Sequence, residues 1–230
     1  MTCATIRRTW ARFPLALLLT ACTGESDLAR DTESAAPVAT GSATRVASRA
    51  DLRLEVLPAG NEVRYLVREQ LAGLDLPNDA VGRTNAVAGG ISLDESGRVI
   101  QGESEFVIQV GGLTSDKERR DGYVRRRILV ADSNPTVVLA PTALRGVTLP
   151  LPTAGTRSFT LLGNLTVKGV TRPTAWRVDA TFTGDTVSGT ARTAFTFADF
   201  KLAQPRVPIV LSVADTIRLE YDFRLAAKEP

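Results

Sequence analysis

The chain has no histidine and only two cysteines, Cys3 and Cys22, in 230 residues. Without an imidazole, the usual zinc sites, histidine-ligated haem and every Ser-His or Cys-His nucleophile pair are excluded. Net basicity is also absent from most of the protein. The formal charge of +3 arises from Arg7, Arg8 and Arg12, ahead of Cys22, where no acidic residue stands, so positive and negative groups are equal in number from Cys22 onward. Balanced charge removes the case for nucleic-acid binding by phosphate neutralisation. There is no G-x-S-x-G elbow, no S-x-x-K and no cluster of metal-ligand spacing, and the sequence is expected not to encode an enzyme.

What stands at the N-terminus is a basic stretch followed by the apolar run Phe13-Pro14-Leu15-Ala16-Leu17-Leu18-Leu19. The order is that of an export signal, and the run is far shorter than the ~20 residues needed to span a bilayer as a helix. It ends in Leu19-Thr20-Ala21-Cys22, which resembles the lipobox of bacterial lipoproteins. The resemblance implies that residues 1–21 are removed and that Cys22 is lipidated, which would place the mature chain in the bacterial cell envelope as a membrane-anchored lipoprotein. Cys3 leaves with the signal, so the exported chain can form no intramolecular disulfide and its core alone must hold the fold.

Residues 23–43 are rich in Ala, Ser, Thr and Gly and poor in large apolar groups, too poor to offset the entropy of ordering. Together with Cys22 they are expected to form a tether, which as a flexible coil would reach about 25 Å. Residues 44–227 then form one domain.

Within that domain the dominant signal is alternation. Ile217, Leu219, Tyr221, Phe223 and Leu225 interleave with Arg218, Glu220, Asp222 and Arg224, giving a strand with one apolar and one charged face. The same parity joins Trp176, Val178 and Phe182, then Val63, Tyr65 and Val67, then Phe106, Ile108 and Val110. Further strands are expected at 51–57, 81–93, 136–140, 158–167 and 187–197, separated by turn signals that include Gly184-Asp185 and the stretch from Gly169 to Pro173. Many strands with short connections favour an antiparallel meander, and closure into a barrel removes its open edges. One segment breaks the pattern. In 114–127, Ser115 with Glu118 fits a capping box, and Arg125, Arg126 and Arg127 fall where a helix end favours cations, predicting a short helix with a break near Gly122. Its interleaved charges are expected to pair with one another on a solvated face.

Arg120-Asp121 followed by Tyr123 and Arg125 resembles the arginine-aspartate segment of the YceI-like family. Gly163-Asn164-Leu165-Thr166-Val167-Lys168-Gly169-Val170-Thr171-Arg172-Pro173 is similar to that family's most recognisable motif, and Phe195-Thr196-Phe197-Ala198-Asp199-Phe200 to the stretch before its final strand. The resemblance extends from about Asp51 to Leu225. It implies an all-β fold, a lipocalin-like eight-stranded antiparallel β-barrel, with a polyisoprenoid or prenyl-quinone chain inside as ligand and no other cofactor. The wall of such a site would comprise Val63 and Tyr65, Phe106 and Ile108, Phe159 and Leu161, Trp176, Val178 and Phe182, Phe195, and Tyr221 and Phe223. An eight-stranded barrel is wide enough to be filled by its own side chains or to hold one slender ligand. The sequence leaves both open: a membrane-anchored carrier of an isoprenoid lipid, or a solid barrel acting as an interaction or stress-adaptor module of the envelope.

Cys22→Ala is expected to leave an unlipidated precursor, because the thioether needs that sulfur. Metabolic palmitate labelling with membrane fractionation checks this. A variant that still carries label and still sediments with membranes would contradict the lipoprotein assignment.

Overall fold

The computed structural model describes residues 51–147 and 151–228. The export signal, Cys22 and the tether expected over 22–43 lie outside the described residues. In chain order the strands are β1 (Leu52–Val56), β2 (Glu62–Leu71), β3 (Asn78–Thr84), β4 (Val87–Leu93) and β5 (Glu105–Gln109). A helical segment follows, and then β6 (Thr136–Arg145), β7 (Ala154–Val167), β8 (Val170–Thr183), β9 (Thr186–Thr196) and β10 (Val210–Lys228).

All pairings between these strands are antiparallel. β1 and β2 are two halves of one strand interrupted at 57–61, since both pair with β10 in the same direction, Val56 opposite Leu225 and Glu62 opposite Asp222. β3 and β4 are likewise two halves, pairing with β2 and β1 respectively. The remaining strands follow in sequence order, and the pairing of β1 with β10 closes the ring. The result is the expected eight-stranded antiparallel barrel with one short helix.

The interruption at 57–61 is pinned by Asn61, which is buried. Its Oδ1 accepts from the Tyr221 hydroxyl at 3.0 Å and from the Arg224 N–H at 3.0 Å, while its Nδ2 donates to the Leu57 carbonyl at 2.7 Å. One side chain therefore ties both sides of the break to β10.

The β7–β8 hairpin turns on Lys168-Gly169, both with positive φ (49° and 72°). Paired left-handed residues fit the twist of a two-residue hairpin, and glycine takes that conformation without strain. The strand resumes at Val170, so Pro173, expected in the turn, is inside β8 opposite Asn164. Alternation from the closing pair Val167–Val170 makes this a non-hydrogen-bonded position, and β9 joins β8 only from Arg177, so the missing N–H breaks no ladder bond.

Two other expectations need correction. The strand expected over 81–93 breaks after Thr84, whose Oγ1 accepts from the Ala86 N–H at 3.2 Å. The helix α1 spans Glu118–Tyr123 and passes through Gly122 without a break, continuing as a wider π-type segment over Val124–Leu129. Lys117 takes the N-cap position without a side-chain cap bond, and no Ser115–Glu118 box forms. Instead, the Ser115 hydroxyl donates to Asp121 at 2.5 Å.

Asn61→Ala is expected to destabilise the fold by about 3 kcal/mol, because it strands the Tyr221 hydroxyl and the Leu57 carbonyl in the interior. Asn61→Asp keeps both accepting contacts but turns a carboxylate oxygen against the Leu57 carbonyl and buries a charge, so it should also destabilise the fold, and less so at acid pH where the carboxyl is protonated. Urea unfolding measures this, and a change below about 0.5 kcal/mol for the alanine variant would show that the clamp carries no load.

Candidate lipid cavity

The inward face of the barrel is mostly apolar, but it is filled unevenly. Around β1 and β4, long side chains meet: Phe159, Leu161, Val178, Phe182 and Phe223 surround a void of about 70 Å³. Val178, Phe182 and Phe223 are buried there at 3, 3 and 7% exposure. Towards β2 and β3 the inward positions mix short residues, among them Val63, Val67, Ala80, Val110, Val137 and Val167, with aromatics such as Tyr65 and Phe195, and a cavity of about 660 Å³ remains. That volume falls in the roughly 300–1,000 Å³ range of small-molecule and cofactor sites. Phe106, Leu139, Trp176 and Tyr221 border both spaces and form the floor between them. Phe106 meets Tyr221 edge-on at 6.1 Å, and the Trp176 indole N–H donates to Thr174 Oγ1 at 3.0 Å.

Of the residues expected from the sequence, Val63, Tyr65, Phe106, Ile108, Trp176, Phe195 and Tyr221 line the large cavity. Phe159, Leu161, Val178, Phe182 and Phe223 do not reach it and surround the small void at the closed end. Tyr65 lies across Gly82 on β3, where a Cβ would come within 2.2 Å of its ring, so the glycine makes room for the aromatic wall. Burial pushes the Tyr65 phenol up to about 12, keeping it neutral in the cavity.

Two parts of the wall were not anticipated. One is the helical segment that connects β5 to β6 along the chain, where Tyr123, Val124, Ile128 and Leu129 line the cavity. The other is the segment leading into β10, from Pro205 to Val210. Its Val207-Pro208-Ile209-Val210-Leu211 is an apolar run that belongs to no alternating pattern, which is the one signal the sequence offers for it.

The mouth is marked by residues that are solvent-exposed and also line the cavity: Asp116, Lys117, Glu118 and Arg119 on one lip, and Pro208 and Ile209 on the other. Just inside is a charged pair. Glu69 continues the inward parity of Val63, Tyr65 and Val67, and its Oε1 accepts from Arg120 at 2.7 Å, with side chains only 8 and 15% exposed. Arg120 also binds Asp116. Desolvation works against the guanidinium charge, and the Asp116 and Glu69 carboxylates outweigh it, so its pKa is raised. The expected fully solvated helix face is therefore corrected: Arg120 and Asp121 are withdrawn from water, and Arg120 bridges α1 to β2. Among the described residues no acidic group is clustered for metal binding and no helix is long and apolar enough to cross a membrane.

Solved structures of the same shape exist. A polyisoprenoid-binding domain from Saccharophagus degradans, implicated in plant cell wall breakdown, superposes with a TM-score of 0.56 at 11% identity, covering 78% of this chain and all of that one. BcnA of Burkholderia cenocepacia gives 0.54 at 15% identity over 74% and 98% of the two chains. A Campylobacter jejuni YceI protein gives 0.53 at 15% over 70% and 91%. At such identities the likeness shows the fold. No curated protein matches the sequence. The family itself is shown by a match spanning residues 55–225, from β1 into β10: the chain belongs to the YceI-like domain family.

Proposed function

We propose that the protein is a lipid-binding barrel that holds one long apolar chain, of polyisoprenoid or prenyl-quinone type, and carries or sequesters it in the bacterial cell envelope while anchored through lipidated Cys22. The observation that carries this is the contrast within one interior, a filled lower half and an open, apolar upper half of about 660 Å³. The polyisoprenoid-binding domain from Saccharophagus degradans, which has the same fold, supports the ligand class.

The physics needs no covalent step. Each methylene withdrawn from water contributes roughly 0.8 kcal/mol, so a chain of several isoprene units is retained by burial and shape alone. The floor of Phe106, Leu139, Trp176 and Tyr221 limits how deep the tail runs. The head group then lies near the mouth, where Arg120 already shares its charge between Glu69 and Asp116.

A soluble chain beginning at Thr44 retains a single tryptophan, Trp176, in the cavity floor. Added prenyl quinone should quench its emission saturably at one equivalent. Ile108→Arg and Leu219→Arg, compared only where circular dichroism remains native, should weaken uptake at least about tenfold, because a buried guanidinium loses hydration without gaining a partner. Absence of saturable quenching in the unsubstituted chain would overturn the proposal.

A further inference from the structure

Among the described residues the large apolar side chains most exposed to solvent are Leu74 at 49%, Leu76 at 76%, Ile209 at 62% and Leu211 at 66%. They come from two segments held side by side. Leu74 and Leu76 stand in the turn between β2 and β3, and Ile209 and Leu211 at the start of β10. The Ala72 N–H donates to the Ile209 carbonyl at 2.8 Å, and Val210 pairs with Leu71. Pro77 and Pro208 stiffen the two segments. The same strip enters the lip of the cavity, since Leu71, Val207, Ile209 and Val210 all line it. An apolar surface therefore runs from the outermost leucines into the barrel, while the helical lip carries exposed Asp116, Lys117, Glu118 and Arg119 in balanced charge.

We infer that this rim is a membrane-docking surface, on which the barrel seats its open end against a phospholipid bilayer. Exposed apolar side chains gathered in one place mark an interaction site rather than ordinary surface. Four side chains at two segment tips fall short of the roughly 1,200–2,000 Å² that a stable protein interface buries. They suit the acyl boundary, which such groups enter by about 5–10 Å, with the charged side chains of the helical lip left in the hydrated headgroup layer. Docking in this pose lets a long apolar cargo pass between bilayer and cavity without crossing water. The inference rests on the lipid-binding proposal for its purpose, but its test reads membrane contact alone.

The full chain is prepared with Leu76→Trp, with Leu211→Trp and, at the closed end beside the β8–β9 turn, with Thr183→Trp. Emission of the unsubstituted chain is subtracted to remove Trp10 and Trp176. Each is mixed with vesicles of phosphatidylcholine and phosphatidylglycerol bearing brominated acyl chains. The rim indoles should shift to the blue and lose most of their emission, whereas Thr183→Trp should do neither. Equal quenching at all three positions, or at none, overturns the inference. So does a blue shift of the rim indoles that grows with protein concentration in the absence of vesicles, which would make the patch a contact between two copies. Rim quenching by a chain that takes up no prenyl quinone would sustain the docking surface and defeat the cargo; quinone uptake without rim quenching would do the reverse.

Discussion

The hydrogen-bonded seam along β10 is the constraint on which the rest of the structure depends. This single strand of 19 residues pairs with β9 on one side and with both β1 and β2 on the other, so its ladder runs from the closed end of the barrel to the open one. The partner strand is bent between those ends, and the bend is tolerated because Asn61 satisfies the polar groups that the break exposes. Closure also sets direction. With the seam in this register Ile217, Tyr221, Phe223 and Leu225 are buried, while Arg64 on β2 reaches Asp222 at 2.7 Å and Glu220 at 3.2 Å on the outside.

From that seam the interior divides into a filled end and an open one. Phenylalanine and leucine meet near β1 and β4, whereas near β2 and β3 a wall of valines, aromatics and the helical segment encloses the cavity. A cavity of this size in an apolar wall has lost the dispersion contacts that packing would supply, a standing cost to stability unless a ligand restores them. The open half therefore reads as a binding site, and the Glu69–Arg120 pair closes its mouth on one side while tethering α1 to the sheet.

Much of the fold is legible in the sequence because strand parity is local. The alternation in 217–225, 176–182 and 63–67 identifies the inward faces, and the family's hairpin motif falls on a real two-residue turn. What is not legible depends on neighbours distant in sequence. Parity says that Phe159 and Phe195 face inward but not at what height, and their separation into the closed end and the open cavity follows from register across several strands. The Ser115–Glu118 cap fails for a similar reason: Asp121, drawn into the interior, takes the Ser115 hydroxyl instead. Pro173 reads as a turn residue because only the late start of β9 makes it harmless inside a strand. The exposed rim has no periodicity at all, and its meaning emerges only when the turn after β2 is seen beside the start of β10.

The central claim is that the upper half of the barrel is hollow in order to hold one isoprenoid chain. The most direct measurement is a mass spectrum of the organic extract of the protein purified from the cells that make it, quantified against protein. The account predicts a prenyl lipid approaching one molecule per chain. An extract free of lipid, or one containing only two-chained glycerophospholipids, would contradict it.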